Sequence, residues 1–183
     1  MAYLINNGQR IFSAGKYLIG EVPLLLSNWY LPSRDEVQLM RSELYLESVG
    51  GFTASTNDAD DYWSSSESSN SGVAISMNSG DSNSWGKFIS RRVRAARTIT
   101  YVPGAYSLRD TGPGGGLIFY VNGGTYMEAA IADQSASYTW MNPYSAELVG
   151  TGFAIGDGLT NTLAIVAKGY ASSAALLCYN YTP

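Results

Sequence analysis

The apolar residues of this chain come in short runs closed by glycine, asparagine or serine. Val73-Ala74-Ile75 lies between Gly72 and Ser76, and Leu117-Ile118-Phe119-Tyr120-Val121 lies between Gly116 and Asn122. Runs of that length make strands of a few residues, and the residues that close them make tight turns. None approaches the roughly 18 apolar residues of a membrane-spanning helix. With 20 glycines in 183 residues, the chain is committed to short elements joined by many loops. It is long enough to bury a core without disulfide staples.

Charge is scarce. Charged residues are 14% of the chain, against roughly 25% in an average domain. Tyrosine, serine and asparagine take their place, giving a neutral polar surface suited to recognition by hydrogen bonding and stacking. The net charge is −4. The one basic cluster, Arg91, Arg92, Arg94 and Arg97, falls in a strand-like run, and we read it as pairing with nearby carboxylates. Neither a nucleic-acid partner nor a membrane partner is expected.

The chain has no histidine, which removes the usual general base and the commonest metal ligand. Its lysines, Lys16, Lys87 and Lys168, sit in no serine–lysine motif. Its single cysteine, Cys178, lies in an apolar helical pattern and reads as a buried, inert thiol. No enzymatic activity is expected. The first ten residues lack the basic and apolar blocks of a signal peptide. Synthesis in the cytoplasm is therefore expected, with any export by lysis or particle assembly.

Residues 1–28 read as an arm. Asn6-Asn7-Gly8 between apolar residues signals a hairpin, and Tyr3, Ile5, Ile11 and Phe12 are the candidate assembly contacts. Residues 29–183 form the main domain. Ser33 and Glu36 make a capping-box pattern, and Val37, Met40 and Leu44 follow on one helical face, to a predicted end near Ser48. Strands are expected from Tyr62, at Val73–Met77, and from Trp85 through Ile89 towards Ile99, as an antiparallel meander. Residues 101–116, with two prolines and five glycines, are a connecting loop. Strands at Leu117–Val121 and from Tyr126 flank an Asn122-Gly123-Gly124 turn. A second helix is expected through Leu163, Val166, Tyr170, Ala174 and Cys178, capped by Thr160 or Asn161.

Several segments together resemble one family. Trp29-Tyr30-Leu31-Pro32-Ser33-Arg34-Asp35-Glu36, Tyr62-Trp63-Ser64-Ser65-Ser66-Glu67 and Val93-Arg94-Ala95-Ala96-Arg97 resemble the second half of Lcl-type C-type-lectin-like domains. These are related to the formylglycine-generating-enzyme fold. Asp110-Thr111-Gly112-Pro113-Gly114-Gly115-Gly116-Leu117 through Val121 resembles that family's opening strand. Ala130 to Ser135, Ala154 to Gly158 and Asn161-Thr162 resemble the family segments after that strand. The order is reversed here: residues 29–100 match the family's second half and 117–183 its first.

The resemblance implies an α+β, C-type-lectin-like fold of two helices on short antiparallel strands, either circularly permuted within one chain or domain-swapped between chains. It implies that strands on the two sides of residues 101–116 pair as a long hairpin. It places Trp63 in the core, and it finds none of the cysteines on which the formylglycine-generating relatives depend.

For ligand binding we single out Trp85, Lys87, Asn83, Asn70 and Asp81. They lie where the family carries its binding face, in a Ser/Asn-rich stretch holding one flat ring. Asp58, Asp60 and Asp61 are crowded enough to consider for Ca2+. The Glu-Pro-Asn and Trp-Asn-Asp signatures of calcium-dependent sugar binding are missing, so no cofactor or metal is expected. The function implied is that of a phage virion structural protein, as a fibre, tail-tip or head-decoration subunit. It would be a homo-oligomer, such as a trimer, contacting other virion proteins and a host-surface glycan or protein. A bacterial surface adhesin, or a cement protein without an external ligand, is the alternative.

Overall fold

The computed structural model describes residues 28–142 and 147–183, and within the arm the backbone of two strands. These are β1 (Leu4–Asn6) and β2 (Gln9–Ile11), which pair antiparallel with Asn6 opposite Gln9. That register is the one the expected hairpin requires.

The helix α1 (Arg34–Met40) begins where the sequence predicts. Ser33 Oγ accepts from the Glu36 N–H at 3.3 Å, and Glu36 Oε2 accepts from the Ser33 N–H at 2.8 Å. This reciprocal pair satisfies two donors that a helix start leaves open. Val37, Met40 and Leu44 are all buried. The final turn widens into a π-helix over Arg41–Tyr45, which the apolar spacing does not encode.

Five strands follow: β3 (Tyr62–Ser68), β4 (Ser71–Ile75), β5 (Ser82–Gly86), β6 (Ser90–Val93) and β7 (Ala96–Thr100). Beyond the connection come β8 (Leu117–Asn122), β9 (Thr125–Ala129), β10 (Ser135–Thr139) and β11 (Met141–Asn142). The chain closes with α2 (Gly158–Ala167), β12 (Ser172–Ser173) and α3 (Ala174–Tyr179). One sheet runs β10-β6-β3-β4-β5 and a second runs β7-β9-β8. Both take strands from either side of residues 101–116. The class is mixed α+β, mostly strands with a few short helices, as expected.

Several local expectations need correction. Lys87-Phe88-Ile89 is a turn and not strand, because the Ile89 N–H returns to the Gly86 carbonyl at 2.9 Å. The meander ends at β5, since β6 meets β3 in parallel, Tyr62 opposite Arg92. The strands flanking the connection do not form a hairpin together. β9 lies between β7 and β8, with Ala129 opposite both Ala96 and Leu117. The second helical pattern is two helices, α2 and α3. Gly169 interrupts it in the left-handed region (φ 71°).

The cap of α2 is Asp157, not Thr160 or Asn161. Nearby polar groups are drawn elsewhere: Thr162 Oγ1 accepts from the Leu31 N–H at 2.9 Å, and Asn161 Oδ1 from the Gly152 N–H at 2.8 Å.

Glu36 also closes this second helix start. Its Oε1 accepts from the Gly156 N–H at 2.8 Å, and the Gly158 N–H bonds the same carboxylate. A negative group is favoured at that end of a helix. One buried side chain of α1 thus accepts the N–H groups at the start of α2, whose own N-cap Asp157 makes no side-chain capping bond.

The main core joins Trp29, Leu31, Trp63, Val93, Trp140, Met141, Ile165 and Cys178. Two indoles lock it. Trp63 Nε1 donates to the Tyr138 carbonyl at 2.8 Å, and Trp140 Nε1 to the Ser64 carbonyl at 2.8 Å. Trp63 is fully buried, as the resemblance implies.

Three of the four clustered arginines pair with carboxylates as expected, while Arg91 lies against the Trp85 ring instead. Arg92 pairs with Asp60, Arg94 with Asp133 and Arg97 with Glu128. Glu128 also accepts from the N–H groups of Gly114 (3.0 Å) and Gly116 (2.7 Å). The glycine run is needed for close approach: a Cβ on Gly116 would sit 1.9 Å from the Ala129 carbonyl oxygen.

Gly116→Ala must push the connection off β9 and break the Glu128 contacts. We expect a loss of about 3 kcal/mol in unfolding free energy, measured by denaturant titration.

A second expectation concerns pH. Burial pushes the Glu36 carboxyl above its ordinary 4.5, more than its backbone donors pull it down. A carboxyl that holds its proton more tightly when folded stabilises most below 4.5, and that contribution fades as pH rises through the raised value. Glu36→Gln removes the titration. The melting-temperature difference, wild type minus variant, should therefore shrink as pH rises from 4.5; a pH-independent difference refutes it.

Candidate binding site

Between the loop before β3 and the turn joining β4 to β5 lies an open cavity of about 280 Å3. One wall is Ser55 to Asp58. The other is Ser76, Asn78, Ser79 and Asp81, with Asn83 of β5 and Asp61 at the base. Local turn chemistry builds both walls. Asn57 Oδ1 accepts from the Ala59 N–H at 3.1 Å, starting a short 3-10 turn over Asp58–Asp60. Ser76 Oγ accepts from the Ser79 N–H at 3.3 Å, folding the second turn. Such short polar side chains favour turns because they can bond their own backbone.

The second turn is fixed from behind by the helical segment. Gln38 Nε2 donates to the Gly80 carbonyl at 2.8 Å. Arg41 Nε donates to the Met77 carbonyl at 2.8 Å, and its Nη2 to the Asn78 carbonyl at 3.0 Å. Gly80 has φ 82° and packs directly on the Arg41 guanidinium. A side chain there would be strained by both backbone and contact.

Asp61 is the buried acid of the site. Its Oδ2 accepts from Asn83 Nδ2 at 3.0 Å and from Trp85 Nε1 at 3.3 Å. Burial raises its carboxyl, and these hydrogen bonds and the Arg91 charge pull it back. The Arg91 guanidinium lies 4.2 Å from the centre of the Trp85 ring. Burial holds Arg91 below its ordinary value, with Asp61 and Asp58 opposing that shift. The cavity thus offers carboxylates, amides and hydroxyls. It suits a ligand rich in hydrogen-bond donors and repels an anionic one.

The sequence-nominated residues separate into groups. Asn83, Asp81, Asp58 and Asp61 converge on this cavity. Trp85 stands behind it, half-buried, holding Asp61 while Arg91 lies against its ring. Lys87 must be withdrawn as a ligand contact. It is fully buried, paired with Glu67, and 4.7 Å from the centre of the Trp140 ring. Asn70 is exposed at the β3–β4 turn, the opposite end of β4 from the cavity.

Asp60 is engaged by Ser55 Oγ (2.6 Å) and Arg92, so Asp58, Asp60 and Asp61 do not gather around one point. Among the described residues no group of three His, Cys, Asp or Glu is arranged to hold a metal. Tyr3 and Phe12 lie outside the described residues, and of Ile5 and Ile11 only the backbone is described.

The sequence reading missed Asn57, Ser76 and Asn78. Their signal was present in the turn chemistry, which marked where the chain reverses without marking which reversals face each other. No protein-family model, curated protein or solved structure matches this chain.

Arg41→Ala should free the 77–81 turn without touching the core. Amide exchange at Ser79, Gly80 and Asp81 should accelerate, with a loss of about 0.5–1.5 kcal/mol for the lost hydrogen bonds. Exchange unchanged at those amides would show that the guanidinium does not hold the turn.

Proposed function

We propose that this chain is a non-enzymatic binding module of a phage-like particle. In this reading it is a fibre, tail-tip or decoration subunit that uses a C-type-lectin-like domain with its halves in permuted order. The observation that carries the reading is the polar cavity. It lies in the segment that the family resemblance assigns to the binding face, it is lined by adaptable hydrogen bonders, and α1 fixes one of its walls. Neutral, donor-rich ligands such as host-surface glycans fit that chemistry best.

The strand order supports permutation within one chain. Both larger sheets already take strands from 29–100 and from 117–183 without a second copy. Among the described residues no helix is long and apolar enough to cross a membrane, in keeping with an assembled component. The arm, with Tyr3, Ile5, Ile11 and Phe12, is assigned to contacts with neighbouring subunits.

The test is a glycan array with the full chain, wild type against Asn83→Ala and Asp81→Ala. Each variant should lose tenfold or more in affinity, which corresponds to about 1.4 kcal/mol, while keeping its fold by circular dichroism. Electron microscopy of particles then separates the readings. A cavity facing solvent fits attachment; one covered by neighbouring subunits identifies a cement protein. Secretion by the producing cell, without particle association, identifies an adhesin.

A further inference from the structure

The pair that removed Lys87 from the binding face has a chemistry of its own. The Lys87 side chain is fully buried and that of Glu67 is 4% exposed. Lys87 Nζ is in direct contact with Glu67 Oε1, donates to the Glu147 carbonyl at 3.0 Å, and sits 4.7 Å from the Trp140 ring centre. The other carboxyl oxygen, Oε2, faces three donors. These are the N–H groups of Val149 (2.9 Å) and Gly150 (3.0 Å) and the Thr151 hydroxyl (3.4 Å). Gly150 adopts φ 83°, a backbone conformation that favours glycine.

We propose that Lys87 and Glu67 condense after folding into an intramolecular amide cross-link. An ammonium and a carboxylate enclosed together lose their hydration, and such a pair gains little over neutral alternatives. Passing one proton from Nζ to Oε1, along the contact already present, gives a neutral amine beside a carboxylic acid. The amine lone pair attacks Glu67 Cδ, and the C–N bond forms as the negative charge moves onto Oε2. The Val149 and Gly150 N–H groups receive that charge, as fixed donors do for a tetrahedral oxyanion. A second Nζ proton passes to Oε1, the Cδ–Oε1 bond breaks, and water leaves. The product keeps one N–H, directed at the Glu147 carbonyl. No oxidant, reductant or co-reactant is consumed. Holding amine and carboxyl in contact replaces the bimolecular encounter. The link joins the end of β3 to the turn after β5, in a chain whose one cysteine excludes an intrachain disulfide.

Intact mass spectrometry of the purified, folded full chain tests this, whatever ligand the cavity takes. The expected mass is that of the sequence less one water. Proteolysis should release a branched peptide joining the fragments that carry Glu67 and Lys87. Lys87→Arg, which keeps the charge but not the nucleophile, should show its full sequence mass. Wild-type chain kept in denaturant from synthesis should also show full mass and lose water only on refolding. A folded wild type at full sequence mass overturns the proposal. So does a water loss that maps to any other pair of residues.

Discussion

The carboxylate of Glu36 ties together the starts of two helices that are far apart in sequence. It accepts N–H groups from Ser33 on one side and from Gly156 and Gly158 on the other. Helix starts leave their first N–H groups without intrahelical partners, and a buried start without a partner is costly. α2 has no side-chain cap of its own. The position of α2, and with it Asn161 and Thr162, which bond Gly152 and Leu31, depends on a residue presented by α1. The desolvation of that carboxylate is the cost of the arrangement, and its backbone donors offset it.

The same device recurs across the domain. Glu128 gathers Arg97 and the glycine run, Asp133 gathers Tyr62, Arg92 and Arg94, and Glu67 gathers Lys87, the Val149 and Gly150 N–H groups and the Thr151 hydroxyl. In each case an acid from one segment accepts donors from another, and Glu128 and Glu67 take theirs from loops that carry no regular hydrogen bonding. A chain with so many short elements has many loop N–H groups to satisfy. Its few charges are placed mainly for such bridging. This explains why a sequence poor in charge still buries Glu36, Glu67, Glu128, Lys87, Arg94 and Arg97.

Much of the local structure was legible. Ser33 and Glu36 announced α1, and Gly123-Gly124 announced the β8–β9 hairpin, because in each case spacing within a few residues fixes the hydrogen bonds. Long-range pairings were not legible. Nothing in Ser135–Thr139 says that it will join the outer edge of β6, or that β9 will separate β7 from β8. Lys87 was misplaced for the same reason: its partners, Glu67 and the loop before α2, lie in distant segments. The cavity was legible in part. Asn83 and Asp81 were named from the family resemblance and the Ser/Asn-rich stretch around them, Asp58 and Asp61 from crowding. Their convergence follows from the pairing of β4 with β5, which brings the second turn up against the loop before β3.

The order of strands in the larger sheet also bears on how the polypeptide is made. β6 is synthesised early, yet its outer edge is covered only by β10, some distance downstream. β7 likewise waits for β9. A nascent chain emerging from the ribosome therefore carries two open sheet edges until most of its length is available. Pairings of that separation are slow to close, and open edges are sites of wrong association. Two sheet edges left open for much of synthesis are the practical cost of interleaving the two segments in this way.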